Sequence, residues 1–143
     1  MQTTLHIEIH SFSYKKGGIP KDSSGNGGGF CFDCRGILNP GRIDEYKPQT
    51  GKDLPVQEFL ETKTKMPEFL DGVKKVVSIT IENYLGRGFE NLQINFGCTG
   101  GQHRSVYAAE KTAEFIRKQY PQATVTVQHD EQPQLNPSKA VSN

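Results

Sequence analysis

The chain has 143 residues, of which 34% are hydrophobic and 23% charged, and its formal net charge is +1. This length allows one domain with a modest core, and the near-zero charge excludes a global attraction to nucleic acid, so any RNA affinity has to come from a local patch. No apolar run approaches the roughly 20 residues of a membrane span and the first residues lack a signal-peptide pattern, which favours a cytoplasmic protein.

Strand-like alternation marks the beginning of the chain. Residues 4–12 alternate apolar and polar side chains, as in a strand with one buried face. Lys15 and Lys16 follow directly, at the carboxyl end of this strand, where open α/β sheets bind their ligands. Residues 17–29 are too rich in glycine and polar residues for a regular element and predict a mobile loop.

A second strand is predicted over residues 29–34, and it contains two of the three cysteines, Cys31 and Cys34. Side chains three positions apart on a strand point to opposite faces. We therefore expect buried free thiols here and neither a zinc site nor a dithiol. Asp33 and Arg35 lie at the carboxyl end of this strand.

Two helices are predicted next. Asp53 is a suitable N-cap for a short helix that runs to Glu61. A longer amphipathic helix is predicted over residues 66–85, with Pro67 in its first turn and two glycines just past its end. Both helices are interpreted as scaffold.

The most informative stretch is residues 95–105, with the sequence NFGCTGGQHRS. Residues 92–96 alternate like a strand, and residues 106–120 have apolar side chains at helical spacing. A glycine-bearing turn between a strand and a helix directs backbone N–H groups and the positive helix end at one point, which is suited to an anion such as phosphate. The turn has no lysine at the Walker position, which excludes an ordinary P-loop ATPase site.

The same stretch also matches a second phosphate-handling pattern. Cys98 is followed by five residues and then by Arg104 and Ser105, the spacing of cysteine-dependent phosphatases, in which a thiolate attacks phosphorus. The histidine that usually precedes the nucleophile is Gly97 here, and Asp33 is the one candidate general acid. A Cys98-dependent phosphatase therefore remains an alternative.

The chain ends with one more predicted strand and a polar segment. Residues 124–129 alternate as a strand, and residues 131–143 predict a disordered tail. The order β-loop-β-α-α-β-α-β predicts an α/β domain over residues 1–130, with a small, mainly parallel sheet and flanking helices. No cofactor and no metal are predicted.

Four segments carry a family resemblance, in order along the chain: residues 11–17 (SFSYKKG), 32–40 (FDCRGILNP), 50–56 (TGKDLPV) and 97–105 (GCTGGQHRS). They resemble the successive motifs of the C-terminal domain of the RapZ RNase adapter family, over about residues 5–130. The resemblance implies a fold similar to a phosphofructokinase subdomain. It also implies binding of phosphorylated ligands and, in the full-length adapter, of a small regulatory RNA and an amino-sugar phosphate.

The resemblance also implies partners and contact residues. The family's amino-terminal Walker-type domain has no counterpart in this sequence, which suggests a stand-alone domain with a separate kinase-like or P-loop protein as a partner, and self-association as a homo-oligomer. The implied ligand-contacting positions are Lys15, Asp33, Arg35, Asn39, Cys98, Thr99, Gly100, Gly101, His103, Arg104 and Ser105.

Two departures from the family pattern decide between the remaining functions. The family has a ligand-binding histidine where this chain has Gly41, and its basic tail after the last strand is replaced by an acidic segment. Because Lys and Arg supply most of the affinity for nucleic acid, the prediction is a non-catalytic, regulatory module that binds a nucleotide or sugar phosphate. The alternative is an RNA-binding adapter with a patch formed by Lys15, Lys16, Arg35, Arg42, Lys47, Lys52 and Arg104.

Overall fold

A single sheet of four strands organises the chain in the computed structural model, which describes residues 4–137. The strand order is β2-β3-β1-β4 and every neighbouring pair is parallel. The elements are β1 His6–Ser13, β2 Phe30–Asp33, α1 Leu54–Lys63, α2 Met66–Arg87, β3 Asn91–Cys98, α3 Arg104–Gln119 and β4 Thr124–His129. This arrangement confirms the predicted α/β class and the mainly parallel sheet.

One face of the sheet is apolar and carries the core. Ile7 pairs with Leu92 and Ile9 with Ile94 across β1 and β3. These side chains are buried in one cluster with residues from all three helices, which follows from the alternation of side chains along each strand. Within residues 4–137, no helix is long and apolar enough to cross a membrane.

The connection between β1 and β2 packs over the other face. Because β3 lies between these two strands, residues 14–29 have to cross it. A Cβ atom on Gly29 would lie 2.1 Å from the carbonyl oxygen of Gln93, so only glycine allows this approach. Asp22 accepts hydrogen bonds from the backbone N–H groups of Ser24 and Gly27 at 3.1 and 2.9 Å. The loop predicted to be mobile therefore has a local structure of its own.

The connections place the predicted anion loop at a switch point of the sheet. The chain leaves β1 toward β2 on one side and leaves β3, through α3, toward β4 on the other. At such a point the two departing connections leave a crevice beyond the carboxyl ends of the strands, where α/β sheets bind ligands. Residues 99–103 lie between β3 and α3, at this crevice.

Two local predictions differ from the structure. Asp53 precedes α1 as expected, but its carboxylate accepts from the backbone N–H of Thr50 at 2.7 Å and makes no cap with the helix. Residues 131–137 were expected to belong to a disordered tail, yet they contain the 3-10 helix Pro133–Leu135, and the Asn136 side chain accepts from the N–H of His129 at 2.7 Å. Residues 138–143 lie outside the described part of the chain.

Candidate functional site

A pocket of about 370 Å³ lies beyond the carboxyl end of β3. Its walls come from the loop after β3, the first residue of α3 and the segment 39–47. The lining residues are Asn39, Gly41, Lys47, Cys98, Thr99, Gly100, Gln102, His103 and Arg104.

The loop after β3 is fixed to the end of β1. The Ser13 hydroxyl donates to the carbonyl oxygen of Thr99 at 2.6 Å and accepts from the N–H groups of Lys15 and Lys16 at 3.1 and 2.9 Å. Gly101 has a φ of +68°, which glycine adopts at little cost. The carbonyl of Thr99 is thereby held by β1, while the N–H groups of the loop are left for other partners.

Those N–H groups have no acceptor in the described part of the chain. The hydrogen bonds recorded for residues 4–137 include none from the backbone N–H groups of residues 99–103. The first turn of α3 adds further unpaired N–H groups, as the first turn of any helix does. The strand-loop-helix junction therefore has several unpaired donors next to the positive end of the helix dipole.

Arg104 is the most buried charged side chain of the site, with 4% of its surface exposed. Its Nη1 donates to the carbonyl oxygens of Arg35 and Ile37 at 3.1 and 2.8 Å, which fixes the turn after β2. Its Nη2 makes one long contact of 3.5 Å with Thr99 Oγ1, and its buried Nε has no partner. The fold therefore uses Nη1, whereas Nη2 is weakly bonded and Nε has no partner.

His103 and Gln102 connect the loop to the segment 46–49. The Nε2–H of His103 donates to the carbonyl oxygen of Tyr46 at 2.8 Å, and the Gln102 amide donates to the carbonyl oxygens of Lys47 and Gln49 at 2.6 and 2.7 Å. Burial lowers the pKa of His103, and the nearby Arg104 charge acts in the same direction. His103 is therefore a neutral imidazole near pH 7, and Nδ1 carries the lone pair in this tautomer.

The contacts around Cys98 differ from those a cysteine-dependent phosphatase needs. Cys98 Sγ donates to Ser105 Oγ at 3.1 Å, and both residues are buried. Arg104 Nη1 donates to two backbone carbonyls and so is not available to a group bound to the thiol. Asp33 is paired with Arg35, whose hydrogen bonds lower the pKa of Asp33, so that this carboxyl is ionised near pH 7. None of these contacts supports the phosphatase alternative.

The pocket brings together six of the eleven predicted contact residues: Asn39, Cys98, Thr99, Gly100, His103 and Arg104. The other five do not line it: Lys15, Asp33, Arg35, Gly101 and Ser105. Asp33 and Arg35 instead form an exposed pair, and the Arg35 guanidinium stacks on Tyr14 at 3.8 Å from the ring centroid.

Three lining residues were missed as ligand contacts. The sequence predicts Lys47 only as part of the RNA patch, the implied ligand contacts do not include Gln102, and Gly41 is predicted only as the position where the family has a histidine. A Cβ atom on Gly41 would lie 3.4 Å from Nδ1 of His103. The position of Gln102 between two predicted contact residues was a usable signal, whereas nothing in the sequence shows that the segment 39–47 forms a wall.

The residues of the predicted RNA patch have different environments. Arg104 is buried, Arg35 is paired with Asp33, and Lys47 is paired with Asp44 at 2.9 Å. The four that are exposed, without a carboxylate partner among residues 4–137, are Lys15, Lys16, Arg42 and Lys52.

The cysteines are free, and they do not all have the predicted burial. Cys34 and Cys98 are buried, but Cys31 is exposed because it lies on the face of β2 opposite the core. No group of three or more His, Cys, Asp or Glu side chains within residues 4–137 is arranged to hold a metal ion.

Comparison with known proteins identifies the family. A family model described as the RapZ C-terminal domain matches residues 5–133. The chain therefore belongs to the RapZ C-terminal domain family, as the four motifs predicted.

The chain is also similar to relatives with curated names. The chain is 37% identical over 129 residues to a protein from Fervidobacterium nodosum that is named nucleotide-binding protein. The aligned region covers 90% of this chain and 43% of that protein. A protein of the same name from Bifidobacterium adolescentis is 40% identical over 115 residues, covering 80% of this chain and 35% of the relative. The chain thus spans about two fifths of the length of these relatives or less.

Proposed function

We propose that this domain is a non-catalytic, regulatory module that binds a phosphorylated small molecule in the pocket beyond β3. The observation that carries the proposal is that the buried Nε of Arg104 has no hydrogen-bond partner and that Nη2 has only a long contact. A buried donor left without an acceptor costs roughly 1–3 kcal/mol. Arg104 lines the pocket, and a phosphate oxygen is the acceptor that would best satisfy its unpartnered donor.

The geometry of a guanidinium makes this donor pair specific. Nε–H and one Nη2–H point in the same direction and form a fork that matches two oxygens of a phosphate or carboxylate. In Arg104 these are the two nitrogens that the fold leaves free or weakly bonded. The unpaired N–H groups of the lining residues Thr99 and Gly100 can hold the remaining phosphate oxygens.

The rest of the pocket suits the organic part of a small ligand. Its volume of about 370 Å³ lies within the usual range of roughly 300–1,000 Å³ for ligand pockets. His103 Nδ1 can accept a hydrogen bond from a hydroxyl group, and Asn39 and Lys47 also line the pocket. A sugar phosphate and a nucleotide both offer hydroxyl groups next to phosphate.

The names of the relatives support a nucleotide as one candidate. They do not decide which part of the relatives binds it, because the match covers two fifths of their length or less. We therefore propose the phosphorylated ligand as the common feature, with nucleotides and sugar phosphates as the two classes to test. A separate kinase-like or P-loop protein is the partner proposed to receive the signal.

Calorimetry with inorganic phosphate, a mononucleotide and a hexose phosphate tests this proposal, with released phosphate measured in the same samples. We expect saturable binding of at least one organic phosphate without phosphate release. Phosphate release that Cys98→Ser abolishes would instead identify a phosphatase. Salt-sensitive binding of a structured RNA, with no small ligand bound, would identify the adapter function.

A further inference from the structure

A groove of about 490 Å³ lies between helix α1 and the 3-10 helix Asp44–Tyr46. We call it the α1 groove, and the apolar residues that line it are Ile43, Tyr46, Pro55 and Phe59. Ile43 is 37% exposed, and Leu54 in the first turn of the same helix is 65% exposed. Neighbouring apolar side chains that remain in water are typical of surfaces that bind another protein.

The α1 groove is preformed. The rings of Tyr46 and Phe59 pack against each other with their centroids 5.4 Å apart, and both pack against the core. The carbonyl oxygen of Tyr46 accepts a hydrogen bond from His103 at 2.8 Å, which fixes this wall to the loop after β3. A partner therefore does not have to order the groove on binding, and this favours affinity.

Carboxylates lie on both walls of the α1 groove. Glu45 belongs to the 3-10 helix and Glu58 to α1, and both are exposed. Neither forms an ion pair within residues 4–137, whereas the neighbouring Asp44 is paired with Lys47 at 2.9 Å. Lys63 lines the groove in the last turn of α1, so a cationic partner group is expected to lie away from that end.

This combination of apolar surface and unpaired negative charge defines the chemistry of the partner. The carboxylates repel an anionic membrane surface and the phosphates of nucleic acid. They attract a protein segment that carries Lys or Arg beside its apolar residues. An apolar side chain anchored in a preformed pocket supplies much of the affinity of such complexes, and amphipathic helices bind apolar grooves in this way.

We propose that the α1 groove binds a basic, amphipathic segment of another protein. Its apolar side chains lie against Ile43 and Phe59, and its Lys or Arg side chains lie next to Glu45 and Glu58. None of the residues that line the α1 groove lines the phosphate pocket. The groove and the phosphate site can therefore be tested, and can fail, separately.

Selection of random peptides displayed on phage, with the immobilised domain as the target, tests the partner chemistry. We expect the enriched peptides to combine large apolar residues with Lys or Arg. Fluorescence anisotropy then measures the Kd of these peptides. Ile43→Ser should raise that Kd about tenfold, because it removes an apolar contact. Glu58→Lys should raise it by a similar factor, about tenfold, because an attraction becomes a repulsion.

Glu90→Lys is the matched control for the charge reversal. Glu90 is exposed and directly precedes β3, at the amino end of the sheet, so this variant should leave the Kd unchanged. Circular dichroism and thermal melting of each variant show that a loss of peptide binding does not come from unfolding.

Three results would overturn the proposal. A selection that enriches no peptides, or peptides without basic residues, shows that the carboxylates do not select the partner. Peptides whose Kd is unchanged in both Ile43→Ser and Glu58→Lys bind another surface. Self-association of the domain in sedimentation equilibrium that Ile43→Ser abolishes would place a second copy of the chain in the groove.

Discussion

Two regions of this domain bury polar side chains near the carboxyl ends of strands, and they differ in whether those side chains have partners. Around His129 the hydrogen bonds are complete: its two ring nitrogens contact Ser11 Oγ and Glu110 Oε2, each at 2.7 Å. Around Arg104 a buried Nε has no partner. Burial of polar groups is therefore common to both regions, and the unpartnered donor distinguishes the proposed phosphate site from the His129 network.

The His129 region shows why side-chain identity alone is misleading. Serine, histidine and glutamate follow one another in it as they do in some hydrolases. Ser11 is fully buried and His129 is 1% exposed, so no substrate can reach the hydroxyl. The network instead joins β1, β4 and α3, and the hydrogen bond from His129 lowers the pKa of Glu110.

The largest effect is expected from breaking the complete network. His129→Leu leaves Ser11 and Glu110 without a buried partner and should lower the free energy of unfolding by about 3 kcal/mol. Urea denaturation measures this change. His6→Leu removes a histidine that is not buried and should stay within about 0.5 kcal/mol. A variant at His129 that folds as stably as the parent would show that this network contributes little.

Changing the incomplete region should weaken phosphate binding. Arg104→Lys keeps the charge but removes the two-donor fork, and phosphate affinity should fall by about 2 kcal/mol, or roughly 30-fold. Calorimetry with inorganic phosphate measures it. Arg35→Lys is the matched control, because Arg35 forms its fork with Asp33 outside the pocket. Equal losses of phosphate affinity in both variants would indicate that phosphate binds nearer to the exposed pair of Arg35 and Asp33.

The two glycines of the loop allow a comparison within the site itself. Gly101 has a positive φ, and a Cβ atom there would lie 2.9 Å from Glu131 Cγ. Gly101→Ala should therefore cost about 1–2 kcal/mol of stability. Gly100 has open space at this position and a negative φ, so Gly100→Ala should be nearly neutral. Equal melting temperatures for the two variants would contradict the backbone geometry described here.

Two histidines should give small pH effects of opposite sign. Burial works against charge on His10, but hydrogen bonds to Asp130 and Glu8 raise its pKa overall. Its contribution to stability is full below about pH 6.5, the unfolded value, and is lost as the pH rises through the raised folded value. Burial lowers the pKa of His103, so its contribution is present above about pH 6.5 and is lost as the pH falls.

Denaturation at about pH 5.5 and about pH 8 checks these signs. His10→Gln should destabilise the domain more at the lower pH, and His103→Gln should destabilise it more at the higher pH. A pH dependence of the same sign in both variants would contradict the difference between the two sites.

The sequence predicted the fold well where periodicity and end signals agree. The last strand matches the structure residue for residue, and α2 extends two residues beyond its predicted end, to the glycine cap at Gly88. Phe69, which the sequence assigns to the core stripe of α2, packs against the core as predicted, with its ring edge-on to Phe32. The packing of residues 14–29 over the face of the sheet opposite the core was not predicted, because a glycine-rich composition does not reveal backbone contacts.

The candidate site was predicted in part, for a related reason. The GCTGGQHRS motif identified most of the lining residues, because local sequence determines a strand-loop-helix junction. The wall formed by residues 39–47 depends on hydrogen bonds from His103 and Gln102 to backbone carbonyls far away along the chain. Which Arg104 nitrogens have partners also depends on carbonyl groups far away along the chain, so the sequence alone does not predict it.

The unused fork of Arg104 can be observed directly by NMR. In a titration of the isotopically labelled domain with inorganic phosphate, the Nε–H signal of Arg104 should move downfield together with the amide signals of Thr99 and Gly100. All three should give one common dissociation constant. An Arg104 Nε–H signal that stays in place while phosphate shifts signals elsewhere would contradict the account.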